Sequence, residues 1–248
     1  METNYSKHAA YWDWDLYDRS EEMAFWAAMA KKYGKEVLSP MCAIGQAAFY
    51  MAVRGHCVTA LDYTEEMILE GQKRYGSIKG LEFVWGDIRT FQFDKYFDFC
   101  FIDGMDLHLL SSLEDIKLAL CNINRHLRSG GGFGVEIGYP MEQSHSFPMR
   151  RFDPRVPRTD GTVIWKEGDS VYNAATKRQD IHQIIYVQKD CKTDSIDHFV
   201  SLQYYEWDVL FQTFHDCGFR VVKQYCDRSF QVSDNPRENG YIELVKES

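Results

Sequence analysis

The sequence has too little positive charge for a typical nucleic-acid-binding protein. Lys and Arg total 28 against 37 Asp and Glu, which gives a formal net charge of −9 over 248 residues. Such a chain repels a phosphate backbone on average, so we expect no nucleic-acid partner. No apolar run approaches the roughly 20 residues that cross a membrane, and we therefore expect no membrane partner either.

Cysteine spacing provides neither a disulfide framework nor a zinc site. The seven cysteines include no C-x-x-C pair, and several lie in apolar runs. This pattern is typical of buried thiols in a reducing compartment. The first 15 residues, METNYSKHAAYWDWD, lack the apolar segment of a signal peptide, so we expect a cytoplasmic protein. No histidine and carboxylate pair has metal-ligand spacing on one helix, and we expect no metal.

Apolar runs of strand length alternate with helical patterns up to residue 138. These runs are EVLS, CVTALDY, LEFVWGD, FDFCFID and GFGVEIG. A helical pattern near the C-terminus leads to two more, FRVVKQYC and GYIELVKE. The sequence therefore predicts an α/β fold with a doubly wound, mostly parallel, seven-stranded Rossmann-like sheet.

The pattern changes to period two before the sixth predicted strand. Alternation around residues 181–187 indicates an antiparallel β insertion of three or four strands. We predict an α/β core at residues 1–138 and 206–248, in which residues 1–30 form an aromatic N-terminal lid and helix. The insertion, residues 139–205, would cover the substrate or form a dimer contact, and both a monomer and a homodimer stay open.

The loop in VLSPMCAIGQ has one glycine where nucleotide-binding loops usually have three. Glycine is favoured there because a Cβ atom blocks close approach of a ligand to the backbone. Ala43 is nearly as small as glycine and Gly45 is retained, whereas Met41 is a clear departure. Taken alone, the loop fits either a cofactor site or an ordinary strand–helix connection.

Acidic residues follow the next two strands, at the edge where open α/β sheets bind ligands. Asp62 ends VTALD and could accept hydrogen bonds from both hydroxyls of a ribose, or cap the next helix. Thr64 is a suitable cap, which would leave Asp62 free. Asp87 could accept from an exocyclic amine with Ile88 against a purine, although Gly-Asp after a strand is also a common turn.

Taken in order, VLSPMCAIGQ, VTALDYTEEM, WGDIRTF, FDFCFIDGMDLHLL and LRSGGGFGVEI resemble a class I S-adenosylmethionine-dependent methyltransferase. The similarity is to the small-molecule branch, whose members often carry a β insertion before the sixth strand. It covers about residues 5–138 and the final hairpin. The family's first loop reads acid-x-Gly-x-Gly-x-Gly, so Ser39, Met41 and Ala43 depart from it and Gly45 matches.

This resemblance implies an S-adenosylmethionine cofactor and methyl transfer to an amine or hydroxyl of a small molecule by in-line displacement. In that case Asp62 would hold the ribose, Asp87 and Ile88 the adenine, and Ala43 and Gly45 would offer backbone groups. Asp103 would lie near the methionine amino group or the acceptor. The implied cofactor-binding residues are Tyr11, Met41, Ala43, Gly45, Asp62, Tyr63, Met67, Asp87, Ile88 and Asp103.

Methyl transfer requires mainly alignment and, for some acceptors, proton removal, so no catalytic motif is expected. The candidate catalytic residues are His108, as general base or simply a helix-edge histidine, and Tyr11. The aromatic N-terminal segment fits either a lid over a cationic sulfonium or a staple on the first helix. Arg150 and Arg151 fit either an anion clamp or pairs with nearby acids. The candidate substrate-binding residues are Trp12, Tyr17, His108, Tyr139, Arg150 and Arg151.

Two other functions stay open. The altered loop fits a binding or scaffold protein that keeps the fold without turnover. An NAD(P)-dependent oxidoreductase is less favoured, because MCAIGQAA gives the G-x-G-x-x-G spacing poorly and no Tyr-x-x-x-Lys pair follows the fifth strand.

Overall fold

The computed structural model of the chain describes most of its residues. The described ranges are 9–12, 19–138, 146–151, 155–158, 160–233 and 240–247. Two predicted substrate-binding residues, Tyr17 and Tyr139, lie outside them. None of the helices in these ranges combines the length and apolarity that a membrane crossing requires.

Strands and helices alternate through the first half of the chain. The strands are β1 (Glu36–Pro40), β2 (Cys57–Asp62), β3 (Leu81–Trp85), β4 (Phe97–Ile102) and β5 (Leu127–Ile137). The helices are α1 (Ser20–Tyr33), α2 (Gln46–Ala52), α3 (Glu65–Tyr75) and α4 (Leu113–His126), and a 3-10 helix at Asp106–Leu109 follows β4. Neighbouring strands among β1–β5 pair in parallel.

A second, antiparallel sheet follows β5. It contains β6 (Phe147–Arg151), β7 (Val156–Pro157), β8 (Val163–Asn173), β9 (Arg178–Lys189) and β10 (Lys192–Gln203). The sequence predicted three or four strands here, and the additional strand is the two-residue β7, which pairs with β8. All five strands lie within the predicted insertion.

The chain then returns to the first sheet through α5 (Trp207–Asp216), β11 (Phe219–Tyr225) and β12 (Gly240–Lys246). The strand order is β11-β12-β5-β4-β1-β2-β3, and β12 is antiparallel to both of its neighbours. This confirms the predicted seven-stranded, mostly parallel sheet. The order reverses between β4 and β1, so a crevice is expected at the carboxyl ends of these strands.

Helices cover both faces of this sheet, and β4 contributes to both contacts. Phe99 and Phe101 pack with α1 and α2 on one face, whereas Cys100 and Ile102 pack with α4 and α5 on the other. Gly134 in β5 allows the Trp26 ring to approach, because a Cβ atom there would lie 2.6 Å from it. The alternation explains why FDFCFI reads as an almost continuous apolar run.

Burial of the cysteines differs from the prediction. Cys100 and Cys217 are buried, as expected, but Cys57, Cys121 and Cys191 are exposed. Cys57 begins β2 and Cys191 lies in the β9–β10 turn. Such positions face solvent whichever residue occupies them, so an apolar side chain alone does not predict burial there.

Candidate ligand-binding site

A cavity of about 300 Å³ lies at the carboxyl ends of β1, β2 and β3, within the usual size range of ligand sites. It brings together a large part of the predicted site. The predicted residues that line it are Trp12, Met41, Ala43, Asp62, Tyr63, Met67, Asp87 and Ile88.

The loop after β1 keeps a glycine-like backbone at all three motif positions. Met41, Ala43 and Gly45 have φ angles of 57°, 49° and 76°. The left-handed conformation costs a residue with a side chain about 1–2 kcal/mol. Gly45 is needed for a further reason, because a Cβ atom there would lie 2.5 Å from the Phe83 ring. The replaced residues have therefore changed the chemistry of the loop without changing the path of its backbone.

Strain at this loop predicts that Ala43→Gly stabilises the protein by about 0.5–1 kcal/mol, since relief of the left-handed cost exceeds the entropy that glycine adds to the unfolded chain. The measurement is the urea midpoint of unfolding. A matched control is Ala60→Gly in β2, where φ is not positive and the side chain is fully buried. That variant should be less stable than wild type. An Ala43→Gly protein no more stable than wild type would show that the loop is unstrained.

Asp62 is held rigidly at the end of β2. Its Oδ2 accepts a hydrogen bond from the Ala43 N–H and its Oδ1 from the Thr64 N–H, each at 2.8 Å. Burial raises the pKa of this carboxyl, and the two amides partly offset the shift. The Thr64 side chain also hydrogen-bonds this carboxylate, which leaves part of its acceptor capacity for a ligand. Thr64 is the N-cap residue of α3, as predicted, but its side chain makes no capping hydrogen bond.

Backbone amides of the first loop are already used within the protein. Ala43 donates to Asp62, and Gly45 donates to the Cys42 carbonyl oxygen at 2.8 Å. Gly45 is not among the residues that line the cavity. Neither N–H group is therefore free to donate to a ligand, and contact of a ligand with other backbone atoms of Ala43 and Gly45 stays a prediction.

Asp87 lies on the cavity wall but is bound by Arg89. The Arg89 Nε is 3.0 and 3.1 Å from the two carboxylate oxygens, and its Nη2 is 2.6 Å from Oδ2. The Arg89 hydrogen bond is the main reason that the pKa of Asp87 is lowered. Arg89 also binds Asp115 at 2.6 Å, which ties this wall to the first turn of α4.

Asp103 lies outside the cavity lining and pairs with Arg19. The Arg19 Nη2 is 2.9 Å from Asp103 Oδ2, and Arg19 also bonds Glu22. Burial raises the pKa of Asp103 although Arg19 opposes the shift. Arg19 was not found from the sequence, because it lies 84 residues from its partner. Proximity of Asp103 to a cofactor amino group stays a prediction.

His108 is a structural residue rather than an available base. Its Nδ1 lies 2.9 Å from the Gln203 carbonyl oxygen and its Nε2 accepts from the Gly138 N–H at 3.1 Å. The side chain is 1% exposed, and burial lowers its pKa. Both ring nitrogens are therefore occupied in a neutral imidazole that links the core to the end of β10. The predicted catalytic and substrate-binding roles are wrong.

Substituting His108→Phe should destabilise the protein by about 2 kcal/mol, because the Gln203 carbonyl and the Gly138 amide lose their partner. Unfolding by urea measures the loss. The pKa of His108 is lower in the fold than in the unfolded chain, so its contribution is present at neutral pH and lost as pH falls below about 6.5. The variant should therefore show a weaker decrease in stability between pH 7 and 5. If the His108→Phe variant is as stable as wild type but binds ligand more weakly, the structural interpretation of His108 fails and a role in the site is favoured.

The N-terminal turn at residues 9–12 connects three parts of the molecule. Trp12 lines the cavity and packs near Ile44 and Met67, whereas Tyr11 packs against the second sheet. The backbone carbonyl of Ala10 accepts a hydrogen bond from Arg74 at 2.9 Å. Tyr11 does not line the cavity, and its catalytic and cofactor-binding roles stay predictions. Trp12 lines the cavity, and both the lid and the staple interpretations stay predictions.

Arg150 and Arg151 lie in β6, outside the cavity lining. The guanidinium of Arg150 stacks 4.2 Å from the Phe147 ring centre. Arg151 forms an ion pair with Glu167 at 3.2 Å. The Arg151–Glu167 pair fits the alternative that these arginines pair with nearby acids, and the substrate clamp stays a prediction.

Several cavity residues were missed from the sequence. They are Arg89, Asp106, Leu109, Leu110, Ser111 and Asp115. Asp106 accepts no hydrogen bond from any residue in the described ranges. Burial, then the charges of Asp103 and Asp62, raise its pKa. The sequence feature that could have identified Asp106 as a cavity residue is its position shortly after β4, three residues beyond Asp103.

Comparison with known proteins supports the assignment of the fold. Residues 37–131 match the methyltransferase domain family. No curated protein is significantly similar in sequence to the chain.

Solved structures match the chain along nearly its whole length. A Clostridium acetobutylicum S-adenosylmethionine-dependent methyltransferase has a TM-score of 0.80 and 13% identity over 98% of this chain and 97% of that chain. A Micromonospora echinaspora amino pentose methyltransferase with bound S-adenosylmethionine has 0.75 and 16%, over 99% of each. A Streptoalloteichus sugar N-methyltransferase has 0.77 and 10%, over 100% and 94%. The chain thus has the fold of these S-adenosylmethionine-dependent methyltransferases, and its residues 37–131 are similar to a methyltransferase domain.

Proposed function

We propose that the protein transfers the methyl group of S-adenosylmethionine to a small molecule. The observation that carries this proposal is Asp62, which is fixed at the end of β2 by two backbone amides and lines the cavity. Its remaining acceptor capacity suits a ribose hydroxyl. The family match at residues 37–131 supports the same conclusion.

The residues around the cavity fit this cofactor. Asp62 and Asp106 supply negative charge for a cation, and the positive charge of Arg89 is balanced by Asp87 and Asp115. Trp12 offers an aromatic face. When bound, S-adenosylmethionine supplies a methyl group on a positively charged sulfur. A nucleophile attacks the methyl carbon in line with the carbon–sulfur bond, and the sulfur leaves as a neutral thioether. The protein's residues bind and orient the reactants and exclude water.

An amine is the favoured acceptor over a hydroxyl. Asp106 is an acid without an internal hydrogen bond among the described residues, and a protonated amine would balance its charge. Structural neighbours include an amino pentose methyltransferase and a sugar N-methyltransferase. An amine must lose its proton before transfer, and a carboxylate with a raised pKa could accept it.

Thermal unfolding with different ligands tests the proposal. S-adenosylhomocysteine should raise the Tm, because a ligand that binds only the native state stabilises it, and NAD should not. Incubation of S-adenosylmethionine with a panel of amino sugars should then release S-adenosylhomocysteine. Binding without turnover across amines and alcohols would favour a scaffold. A Tm shift with NAD alone would favour an oxidoreductase.

A further inference from the structure

Two cysteine side chains meet where α4 packs against α5. The Sγ atoms of Cys121 and Cys217 lie 2.9 Å apart, although the residues are 96 positions apart in the chain. Cys121 is exposed and Cys217 is buried. A disulfide bond is about 2.05 Å long, so a shift of about 1 Å would join the sulfurs.

Contacts on both sides of this pair fix its position. Cys217 Sγ lies 3.6 Å from the Lys117 carbonyl oxygen, and the Asn124 side-chain amide donates to the Gly218 carbonyl at 3.0 Å. Lys117, Cys121 and Asn124 are at i, i+4 and i+7, and therefore share one face of α4. Gly218 has a φ of +78°, and a Cβ atom there would lie 3.2 Å from Asn124. The helices are thus held close enough to keep the thiols in contact.

The two thiols differ in reactivity. Burial, followed by the neighbouring Cys121, raises the pKa of Cys217, so this thiol is protonated at neutral pH. Cys121 is open to solvent, so a dissolved reagent can reach it directly. This difference assigns the first step of any oxidation to Cys121 and the second to Cys217.

We propose that Cys121 and Cys217 are a reversible oxidation site, which a small disulfide such as oxidised glutathione converts to a disulfide bond. The Cys121 thiolate attacks one glutathione sulfur, and one glutathione leaves as thiolate. Cys217 then loses its proton to solvent, and its sulfur attacks Cys121 and releases the second glutathione. Two electrons pass from the protein thiols to the glutathione disulfide, so the exchange balances.

The bond would connect two helices on one face of the large sheet. Between the joined residues the chain passes through β5, the whole second sheet and α5. Closing so long a loop restricts the unfolded chain, and Tm should rise by about 5–15 °C. The proposal does not depend on methyl transfer, because neither thiol lines the cavity.

Peptide mapping of the whole protein tests this proposal. Wild type is incubated with oxidised glutathione, its remaining thiols are alkylated, and it is digested without reductant for mass spectrometry. We expect one cross-linked peptide pair joining Cys121 and Cys217, a higher Tm, and reversal of both by dithiothreitol. A stable glutathione adduct on Cys121 beside a free Cys217 would overturn the proposal, as would reaction at other cysteines alone.

Serine variants separate the two steps. Cys217→Ser should retain glutathione on Cys121, because no second thiol is present to displace it. Cys121→Ser should leave Cys217 unreacted, since burial protects it. Cys191→Ser is the matched control: it removes another exposed thiol, in the β9–β10 turn, and should cross-link as wild type does. A cross-link that forms at the wild-type rate without Cys121 would also reject the proposed site.

Discussion

Asp62→Ala should weaken binding of S-adenosylhomocysteine by about 100-fold or more. The variant loses the carboxylate that we assign to the ribose hydroxyls, and hydrogen bonds to a charged group contribute about 1.5–3 kcal/mol each. It also leaves the Ala43 and Thr64 amides without their acceptor, which releases the strained first loop. Calorimetric titration measures the affinity, and the Tm of the free protein reports the structural part of the effect.

Asp160→Ala is a suitable control for this experiment. Asp160 also accepts a backbone N–H two residues ahead, from Thr162 at 3.0 Å, but it lies before β8 and does not line the cavity. We expect its removal to leave ligand affinity within about twofold of wild type. If folded Asp62→Ala protein binds S-adenosylhomocysteine as tightly as wild type, the ribose assignment fails and the proposed function loses its main support.

The position of the cavity was predictable because parallel strands end at one edge of a sheet. Asp62, Tyr63, Asp87 and Ile88 follow directly from the ends of β2 and β3, and all of them line the cavity. Strand ends are visible as the points where apolar runs stop. The geometry of βαβ units then brings these points together without knowledge of any side-chain contact.

Side-chain direction was less predictable, because distant partners decide it. His108 and Asp103 follow β4 as expected, yet His108 points to Gln203 and Asp103 to Arg19. Asp106, between them in the chain, faces the cavity instead. Asp106 and His108 lie in the 3-10 helix, which turns their side chains in different directions, and the apolar pattern of the sequence does not indicate that turn.

Element boundaries were uncertain where glycines follow a helix. The sequence SLEDIKLALCNINRHLRSGG reads as a helix that ends at the glycines, but α4 ends at His126 and β5 begins at Leu127. Strand pairing of Phe97 with Leu127 starts β5 early, and a register shift follows between Phe97 and Phe99. Tertiary pairing thus overrides the local preference for a turn.

Asp106→Asn should stabilise the free protein at pH 8. It should also weaken the preference of the cavity for a positively charged ligand over a neutral one. The carboxylate is half-buried and is the cavity acid without a hydrogen bond from the described residues, so its partly desolvated charge is costly. An amide of the same shape removes that cost, and we expect a gain of about 1–2 kcal/mol in urea unfolding. The ratio of affinities for S-adenosylmethionine and its uncharged thioether product, S-adenosylhomocysteine, should fall by about three- to tenfold.

The pH dependence of this gain follows from the raised pKa of Asp106, which burial and then Asp103 and Asp62 produce. A carboxyl group with a higher pKa in the fold than in the unfolded chain takes up a proton on folding. Its contribution to stability is present at low pH and is lost as pH rises through the folded pKa. The advantage of Asp106→Asn over wild type should therefore be small near pH 5 and grow toward pH 8.

Asp115→Asn provides the opposite case on the same cavity wall. Asp115 is bound by Arg89 at 2.6 Å, and the hydrogen bond from Arg89 lowers its pKa, so its charge stabilises the fold at neutral pH. Its removal should reduce stability at pH 8, although Arg89 keeps Asp87. If both variants lose stability, Asp106 has a partner within the fold. If Asp106→Asn is more stable but discriminates between the two ligands as wild type does, then Asp106 does not sense the cation, and the preference for an amine acceptor loses its basis.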